Sequence, residues 1–299
     1  MKIAVLYGGF SAEREVSLRS GKSVYDASIE AGFNADLIDV TEINSALATS
    51  LKSYDIVLPI MHGMGGEDGQ IQKLLEGIGV AYLGCDSSVS AQCFFKNQAR
   101  KKMIDAAIPM PEGGLMNVEE YRHSMLSIVP HVIKPNDGGS SIDTLLVKDP
   151  KNNKFAEELF SKHNKMIVEE LIDGIELTVP LIDGLNLVPI EIIPPSGGEF
   201  DYDNKYNGKT QELCPPKNIS KDKQQEAIDL AKKVHSTMGC RHMSRTDMIM
   251  TPDGELIVLE TNTIPGLTAQ SLMPKAAVQA GLTMPELVSH FIKISSVVK

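Results

Sequence analysis

The sequence predicts three α/β or α+β domains, the first built on a parallel sheet, and three observations carry that prediction. The chain is 299 residues long, against roughly 100–200 for an average domain. From residue 3 to residue 83 strand-like and helix-like segments alternate, the pattern of parallel βαβ units. The texture then changes: a basic run, Phe95-Lys96-Asn97-Gln98-Ala99-Arg100-Lys101-Lys102, is broken by Pro109-Met110-Pro111, punctuation that marks a boundary. The expected domains are residues 1–93, a smaller middle unit at 94–175, and 176–299.

Each element has its own warrant. Ile3–Tyr7 is a continuous apolar run ending at Gly8-Gly9, as in a strand buried on both faces. A helix follows from Glu13 to about Ala31, with Val16, Val24, Ala27 and Ala31 on one face and Gly32 as its stop. Strands at Ala35–Val40, Ile56–Ile60 and Val80–Leu83, and helices at Ile43–Ser50 and Gln70–Gly77, complete the first domain. In the middle unit His131–Lys134, Thr144–Val147 and Lys165–Glu170 read as strands and Phe155–Phe160 as a helix. The last unit has strands at Leu177–Leu181, Leu187–Ile193 and Glu255–Thr261 and a long helix at Lys221–Met238.

Composition excludes several classes of function. With 42% hydrophobic and 23% charged residues the chain is an ordinary globular one. Its formal net charge of −10 repels phosphate backbones, so no nucleic-acid partner is expected, although a local basic pocket for a small anion is compatible with it. Cys85, Cys93, Cys214 and Cys240 fall at neither zinc-ligand nor redox-pair spacing and read as buried free thiols. The apolar N-terminal run is too short for a signal-peptide core and no run reaches the length of a membrane span, so a cytoplasmic protein without membrane insertion is expected.

Four stretches could carry chemistry. Gly8-Gly9-Phe10-Ser11-Ala12-Glu13 joins a strand end to a helix N-terminus; it suits an anion, or equally a plain helix start with Ser11 as cap and Glu13 and Glu15 complementing the dipole. His62-Gly63-Met64-Gly65-Gly66-Glu67-Asp68-Gly69 follows a strand directly, where open sheets bind ligands, and its glycines permit close backbone approach; His62 could also simply close a turn. Lys134-Pro135-Asn136-Asp137-Gly138-Gly139-Ser140-Ser141 combines a strand-end lysine with small residues, as a phosphate-covering flap requires. Arg245-Thr246-Asp247 and Leu259-Glu260-Thr261-Asn262 flank the turn Asp253-Gly254. Alternation along strands sets Arg245 with Asp247 and Glu260 with Asn262, so the hairpin is either a salt-bridged face or an all-oxygen set suited to magnesium and substrate phosphates.

Taken in order, these stretches resemble the D-alanine–D-alanine ligase family of the ATP-grasp superfamily, end to end from Gly8 to about Ile292. The motifs are GGFSAEREVSL at 8–18, HGMGGEDG at 62–69, KPNDGGSS at 134–141, EELIDGIELTV at 169–179, FDYDNKY at 200–206, GCRHMSRTD at 239–247 and LETNTIPGLTAQSLMPKAA at 259–277. The resemblance implies a three-domain ATP-grasp architecture with an N-terminal pre-ATP-grasp domain. It implies ATP-dependent joining of two D-alanine molecules through an acyl phosphate, for peptidoglycan precursor synthesis, by a homodimer. It assigns Lys96, Lys134, Ser141 and Lys205 to the phosphates of ATP, and Glu169, Glu170, Leu171, Ile172 and Glu176 to adenine and ribose. Asp247, Glu260 and Asn262 would bind two Mg²⁺, or Mn²⁺ in their place. Arg245 and the N–H of Gly266 would stabilise the tetrahedral oxyanion. Glu13, Ser140 and Tyr206 would form a trio closing the site, with Glu13 on the first D-alanine's ammonium and Val16 and His62 beside it; Ser271 and Leu272 would receive the second substrate's carboxylate.

The chain departs from the family's usual pattern at Phe95, at Gly138, at His242, where glycine is frequent, and at Asp143, a carboxylate in a phosphate-covering loop. Two further readings stand beside the leading one: a related ligase with another acceptor, and a nucleotide-binding paralogue in which Phe95 and Asp143 abolish turnover.

Overall fold

The computed structural model describes residues 1–139, 141–152, 154–195 and 210–296. Its first sheet is parallel: β1 (Lys2–Gly8) lies between β2 (Asn34–Val40) and β3 (Ile56–Pro59), and β4 (Ala81–Tyr82) extends it beyond β3. Ile3, Ala4, Val5 and Leu6 are all fully buried, which is why this strand is an unbroken apolar run. Helices α1 (Arg14–Glu30), α2 (Ser45–Leu51) and α3 (Gln70–Ile78) connect the strands, and α4 (Ser87–Phe94) leaves the sheet. Helix α2 starts two residues later than expected because Asn44 caps it, accepting bonds from Ala46 N and Leu47 N at 3.0 Å each. At α1 the cap position belongs to Glu13, whose side chain makes no capping bond.

The second sheet is antiparallel, in the order β5 (Gly113–Met116), β8 (Met166–Glu170), β6 (His131–Pro135), β7 (Leu145–Val147). With α6 (Val118–Arg122) and α7 (Lys154–Lys162) it encloses its own core of Tyr121, Ile133, Val147, Phe160, Met166 and Val168. The third sheet, also antiparallel, runs β11 (Gln211–Leu213), β10 (Ile190–Ile193), β9 (Ile175–Ile182), β12 (Met243–Met250), β13 (Leu256–Asn262). The strand expected over Leu187–Ile193 begins only at Ile190, since Pro189 has no N–H to give a ladder. Helix α8 (Lys221–Met238) covers this sheet and ends at Gly239 in the left-handed conformation. Helix α5 (Lys96–Asp105) opens the middle segment, yet its Ala99 and Met103 pack with Val234 and Met238 of α8 and Val258 of β13.

The C-terminal helices α9 (Leu272–Gln279) and α10 (Met284–Ser295) return to the beginning of the chain. One core runs from Ile3, Val5, Val24 and Leu58 to Ile190, Met273, Leu287 and Phe291 without interruption. The first and third units are thereby packed as neighbours. Close approach of α1 to β1 depends on Gly21, where an added Cβ would lie 2.2 Å from Tyr7 Cβ. Alanine favours an isolated helix by about 1 kcal/mol, but here Gly21→Ala is expected to destabilise the fold by about 1–3 kcal/mol through overpacking. A lower urea midpoint at unchanged slope is the result to look for; an unchanged or higher midpoint counts against this packing account.

Candidate active site

The first loop is held from behind. Arg14 Nη1 donates to Gly9 O at 2.8 Å and to Asp39 Oδ1 at 2.9 Å, and its Nη2 donates to Asp39 Oδ2 at 2.7 Å. Ser11 Oγ donates to His62 O at 2.7 Å and accepts from Glu13 N at 3.1 Å. Ser11 therefore ties the two loops of the first domain together rather than capping α1. The carboxylate of Glu13 reaches into the cleft between two glycines. A Cβ on Gly63, whose φ is +73°, would stand 2.9 Å from Glu13 Oε2, and one on Gly139 would stand 3.1 Å from both oxygens. Bare backbone at both positions is what lets the first domain and the Gly138-Gly139 loop close around one carboxylate. Val16 is buried three residues further along.

His62 is buried, its N–H donates to Ser17 Oγ at 2.9 Å, and its Nε2 lies 3.2 Å from Ser20 Oγ. Burial, helped by nearby Arg245, brings its pKa down to about 4 against a hydrogen bond to the backbone of Ile264. It is neutral at pH 7, a hydrogen-bonding side chain and not a cation. Ser20 Oγ also accepts from Leu267 N at 3.4 Å, so one hydroxyl joins His62 to the loop carrying Gly266. Glu67 is a site residue that motif reading passed over. It is buried, accepts Gly63 N at 2.5 Å, and is pushed up to about 8 by burial and then by the charge of Glu13. The signal lay in HGMGGEDG itself: an acid among glycines at a strand end has few side-chain partners available.

Between the second and third sheets lies a cleft of about 1160 Å³, large enough for a nucleotide. Lys96, Lys134, Ser141, Glu169, Glu170, Leu171, Ile172 and Glu176 all line it, with Asp247 and Glu260 opposite. Lys96 Nζ donates to Gly138 O at 2.6 Å and stands 3.8 Å from Glu260. Lys134 is ion-paired to Glu169, whose second oxygen receives Arg100 Nη1 at 2.7 Å. The loop between them is pinned by Lys96 N to Asn136 O and Asn97 N to Asn136 Oδ1, at 2.8 and 2.9 Å. Leu171 and Ile172 supply the apolar wall at the end of β8.

On the opposite wall Asp247 pairs directly with Glu260, and Arg245 with Asn262, across β12 and β13. The register shifts between Asp247 and Met248, a bulge of the kind that re-aims side chains beside active sites. Asp247 accepts Thr178 Oγ1 at 2.5 Å, Arg245 Nε at 2.9 Å and Arg245 Nη2 at 2.7 Å. Burial works against the Arg245 charge, but the Asp247 carboxylate outweighs it and holds the guanidinium's pKa above its ordinary value. Asn262 Oδ1 accepts Ile264 N at 2.9 Å, which shapes the turn toward Gly266. A Cβ on Gly266 would lie 2.9 Å from Ser271 Oγ, and Ser271 stands at the N-terminus of α9 with Leu272 as its first helical residue. Hard oxygen donors on facing strands fit magnesium, whose octahedron substrate phosphates and water complete. Among the described residues no group of three His, Cys, Asp or Glu is arranged to hold an ion by protein ligands alone.

Two departures now have physical accounts. Asp143 turns away from the cleft: its Oδ2 is 2.8 Å from His163 Nε2 and its Oδ1 is 3.6 Å from Lys162 Nζ, and His163 foremost lowers its pKa. His242 keeps the left-handed backbone, φ +66°, that glycine adopts freely. Its N–H donates to Asp183 Oδ2 at 2.6 Å and its Nδ1 accepts from Gly84 N at 3.0 Å, with burial lowering its pKa to about 4. Ser140, Lys205 and Tyr206 lie outside the described residues.

A nucleotide-sized cleft between two antiparallel sheets, with lysines facing paired carboxylates, beside a parallel-sheet N-terminal unit, defines an enzyme of the ATP-grasp class. The chain matches the family models for the D-ala D-ala ligase N-terminus over residues 39–85 and C-terminus over residues 116–293. It is 37% identical over 303 residues to the D-alanine–D-alanine ligase of Haemophilus influenzae (strain PittEE), covering 97% of this chain and 100% of that one. The crystal structure of the Bacillus anthracis D-alanine–D-alanine ligase superposes with a TM-score of 0.86 at 30% identity, covering 99% of this chain and 97% of the other. The VanG D-Ala:D-Ser ligase of Enterococcus faecalis superposes at 0.83 and 29% identity, covering 98% and 99%. The chain belongs to the D-alanine–D-alanine ligase family, an ATP-utilising family of ligases.

The site makes stability depend on pH through contributions of opposite sign. Between about pH 4 and 6.5 His62 and His242 take up a proton more readily unfolded than folded, so their contribution to stability grows with pH and is complete near 6.5. Glu67 works the other way: from about pH 4.5, overlapping the histidine range, up to about pH 8 it keeps its proton in the folded protein while the unfolded chain loses it, so its contribution declines as pH rises. Urea unfolding at pH 6.5 and pH 8.5 is expected to show the wild type losing more stability than Glu67→Gln over that interval. Parallel losses in the two proteins would contradict the assignment.

Proposed function

We propose that the chain joins two molecules of D-alanine with ATP, forming D-alanyl-D-alanine, ADP and phosphate through an acyl-phosphate intermediate. The single observation that carries this reading is continuity. The cation-lined cleft between the second and third sheets reaches Asp247, gripped by Arg245, and Gly139, against which Glu13 stands, while Ser20 ties His62 to the loop carrying Gly266, so a phosphate-facing set adjoins an amino-acid-facing set.

In this reading Lys96, Lys134, Lys205 and Ser141 take the triphosphate, and Glu169, Glu170, Leu171, Ile172 and Glu176 take adenine and ribose. Asp247, Glu260 and Asn262 hold two Mg²⁺ (or Mn²⁺), which when bound screen the repulsion between phosphates and the attacking carboxylate. Glu13 orients the ammonium of the first D-alanine, with Glu67, His62 and Val16 around it. The carboxylate of this D-alanine attacks the γ-phosphate and ADP leaves, a transfer that depends on positioning and charge neutralisation. The free amine of the second D-alanine, its carboxylate at Ser271 and Leu272, then attacks the acyl phosphate, and Arg245 with Gly266 N–H holds the oxyanion as phosphate leaves. Ser140 and Tyr206 join Glu13 to exclude water from the intermediate. Family resemblance supports three functional domains at 1–93, 94–175 and 176–299, a cytoplasmic homodimer, and peptidoglycan precursor synthesis. Among the described residues no helix is long and apolar enough to cross a membrane.

A second reading, D-serine as acceptor, is favoured by the close superposition of the Enterococcus faecalis D-Ala:D-Ser ligase. The paralogue reading is weakened, because Asp143 pairs with His163 and Lys162 instead of facing the phosphates. Incubation with D-alanine, ATP and Mg²⁺ is expected to yield the dipeptide by mass spectrometry, one phosphate per bond formed. Arg245→Met is expected to lower kcat by about 10²–10³-fold. No dipeptide above background would sink the proposal, and preferential D-alanyl-D-serine in a mixture of acceptors would select the second reading.

A further inference from the structure

A buried cation stands behind Lys134 and has no part in the reading above. Arg100 lies on α5 four residues after Lys96, so both project from one side of the helix. It is only 5% exposed. Its Nη1 donates to Glu169 Oε2 at 2.7 Å, while its Nη2 donates to Pro111 O at 2.8 Å and Gly113 O at 3.3 Å. The remaining Glu169 oxygen is the partner of Lys134, and Glu169 is itself buried, at 2% exposure.

Charge bookkeeping decides what this arrangement does. A partly buried lysine and a buried carboxylate alone would form a neutral pair, and Lys134 would bring no net charge to an incoming triphosphate. With the guanidinium on the second oxygen, two cations share one anion and the trio keeps one positive charge. Arginine is suited to this place: its planar fork spans a carboxylate oxygen and two carbonyls at once, and it does not give up its proton. The two carbonyls belong to the segment entering β5, the neighbour of β8, so the same side chain also sets where Glu169 stands relative to α5.

We propose that Arg100 is a positioning residue for nucleotide binding: by neutralising and holding Glu169, it leaves the charge of Lys134 available to the phosphates. The proposal rests on Lys134 as a phosphate ligand, and its test separates the two. ATP binding to the intact protein is measured by calorimetry for Lys134→Met, Arg100→Met, Arg100→Lys, Glu169→Gln and Arg100→Met with Glu169→Gln. Arg100→Met is expected to weaken ATP about tenfold, the scale of one charged hydrogen-bonding partner, with the KM for D-alanine unchanged. Arg100→Lys keeps the charge and is expected to stay within about threefold of wild type. In the Glu169→Gln background, where the countercharge is gone, Arg100→Met is expected to have no further effect. Equal losses from Arg100→Met in both backgrounds, or none in the wild-type background, would overturn the proposal. Wild-type affinity in Lys134→Met would instead overturn the phosphate reading beneath it.

Discussion

The pairing of β12 with β13 is the constraint on which the site depends. Once Asp247 is set opposite Glu260 and Arg245 opposite Asn262, two carboxylates, an amide and a guanidinium share one sheet face. Such a face is stable only if its charges are paired, because an isolated buried charge is costly. The structure meets that demand by proximity: Arg245 forks onto Asp247, Thr178 closes on the same carboxylate from β9, and Lys96 approaches Glu260 from α5. Across the cleft the same logic puts Glu169 between Lys134 and Arg100. The cleft of an acidic protein is thus a lattice of mutual neutralisation, and a ligand of the right charge enters by exchanging partners rather than by filling a vacuum of charge.

The amino-acid side of the site follows a different principle. Burial, and after it the charge of Glu13, disfavours the ionised form of Glu67. Together with neutral His62 this makes a region that a bound ammonium would relieve. Proximity of like groups costs something in the free protein, which is how a site gains preference for its substrate over water.

Much of this was legible in sequence, and particular residues show why. The parallel sheet announced itself because Ile3 to Tyr7 is apolar without alternation, and α8 matched its expected ends, Lys221 and Met238, because Ser220 and Gly239 are strong start and stop signals. The facing of Arg245 and Asp247 followed from strand alternation alone. What stayed hidden depends on distant partners. Strand β5 is Gly-Gly-Leu-Met, with no pattern of its own, and exists because β8 offers an edge. Thr178, Ser20 and Arg100 sit in the site through contacts 69 to 247 residues away, which no local spacing encodes. Asp143 looked like a repulsive charge in the flap because sequence shows that a carboxylate is present, not which way it turns.

The core shared by the first and third units has a consequence for how the two ends of the chain depend on each other. Ile3, Val24 and Leu58 share one apolar cluster with Met273, Leu287 and Phe291, residues more than 200 positions further along the chain. The middle sheet, by contrast, encloses its own apolar cluster from a contiguous stretch of chain. One face of the N-terminal sheet is therefore covered only when the distal helices are present, whereas the central sheet closes on its own stretch of chain. Order along the chain and order in the core are thus different at the first domain: α10, more than 250 residues downstream of the first strand, belongs to the cluster that buries it.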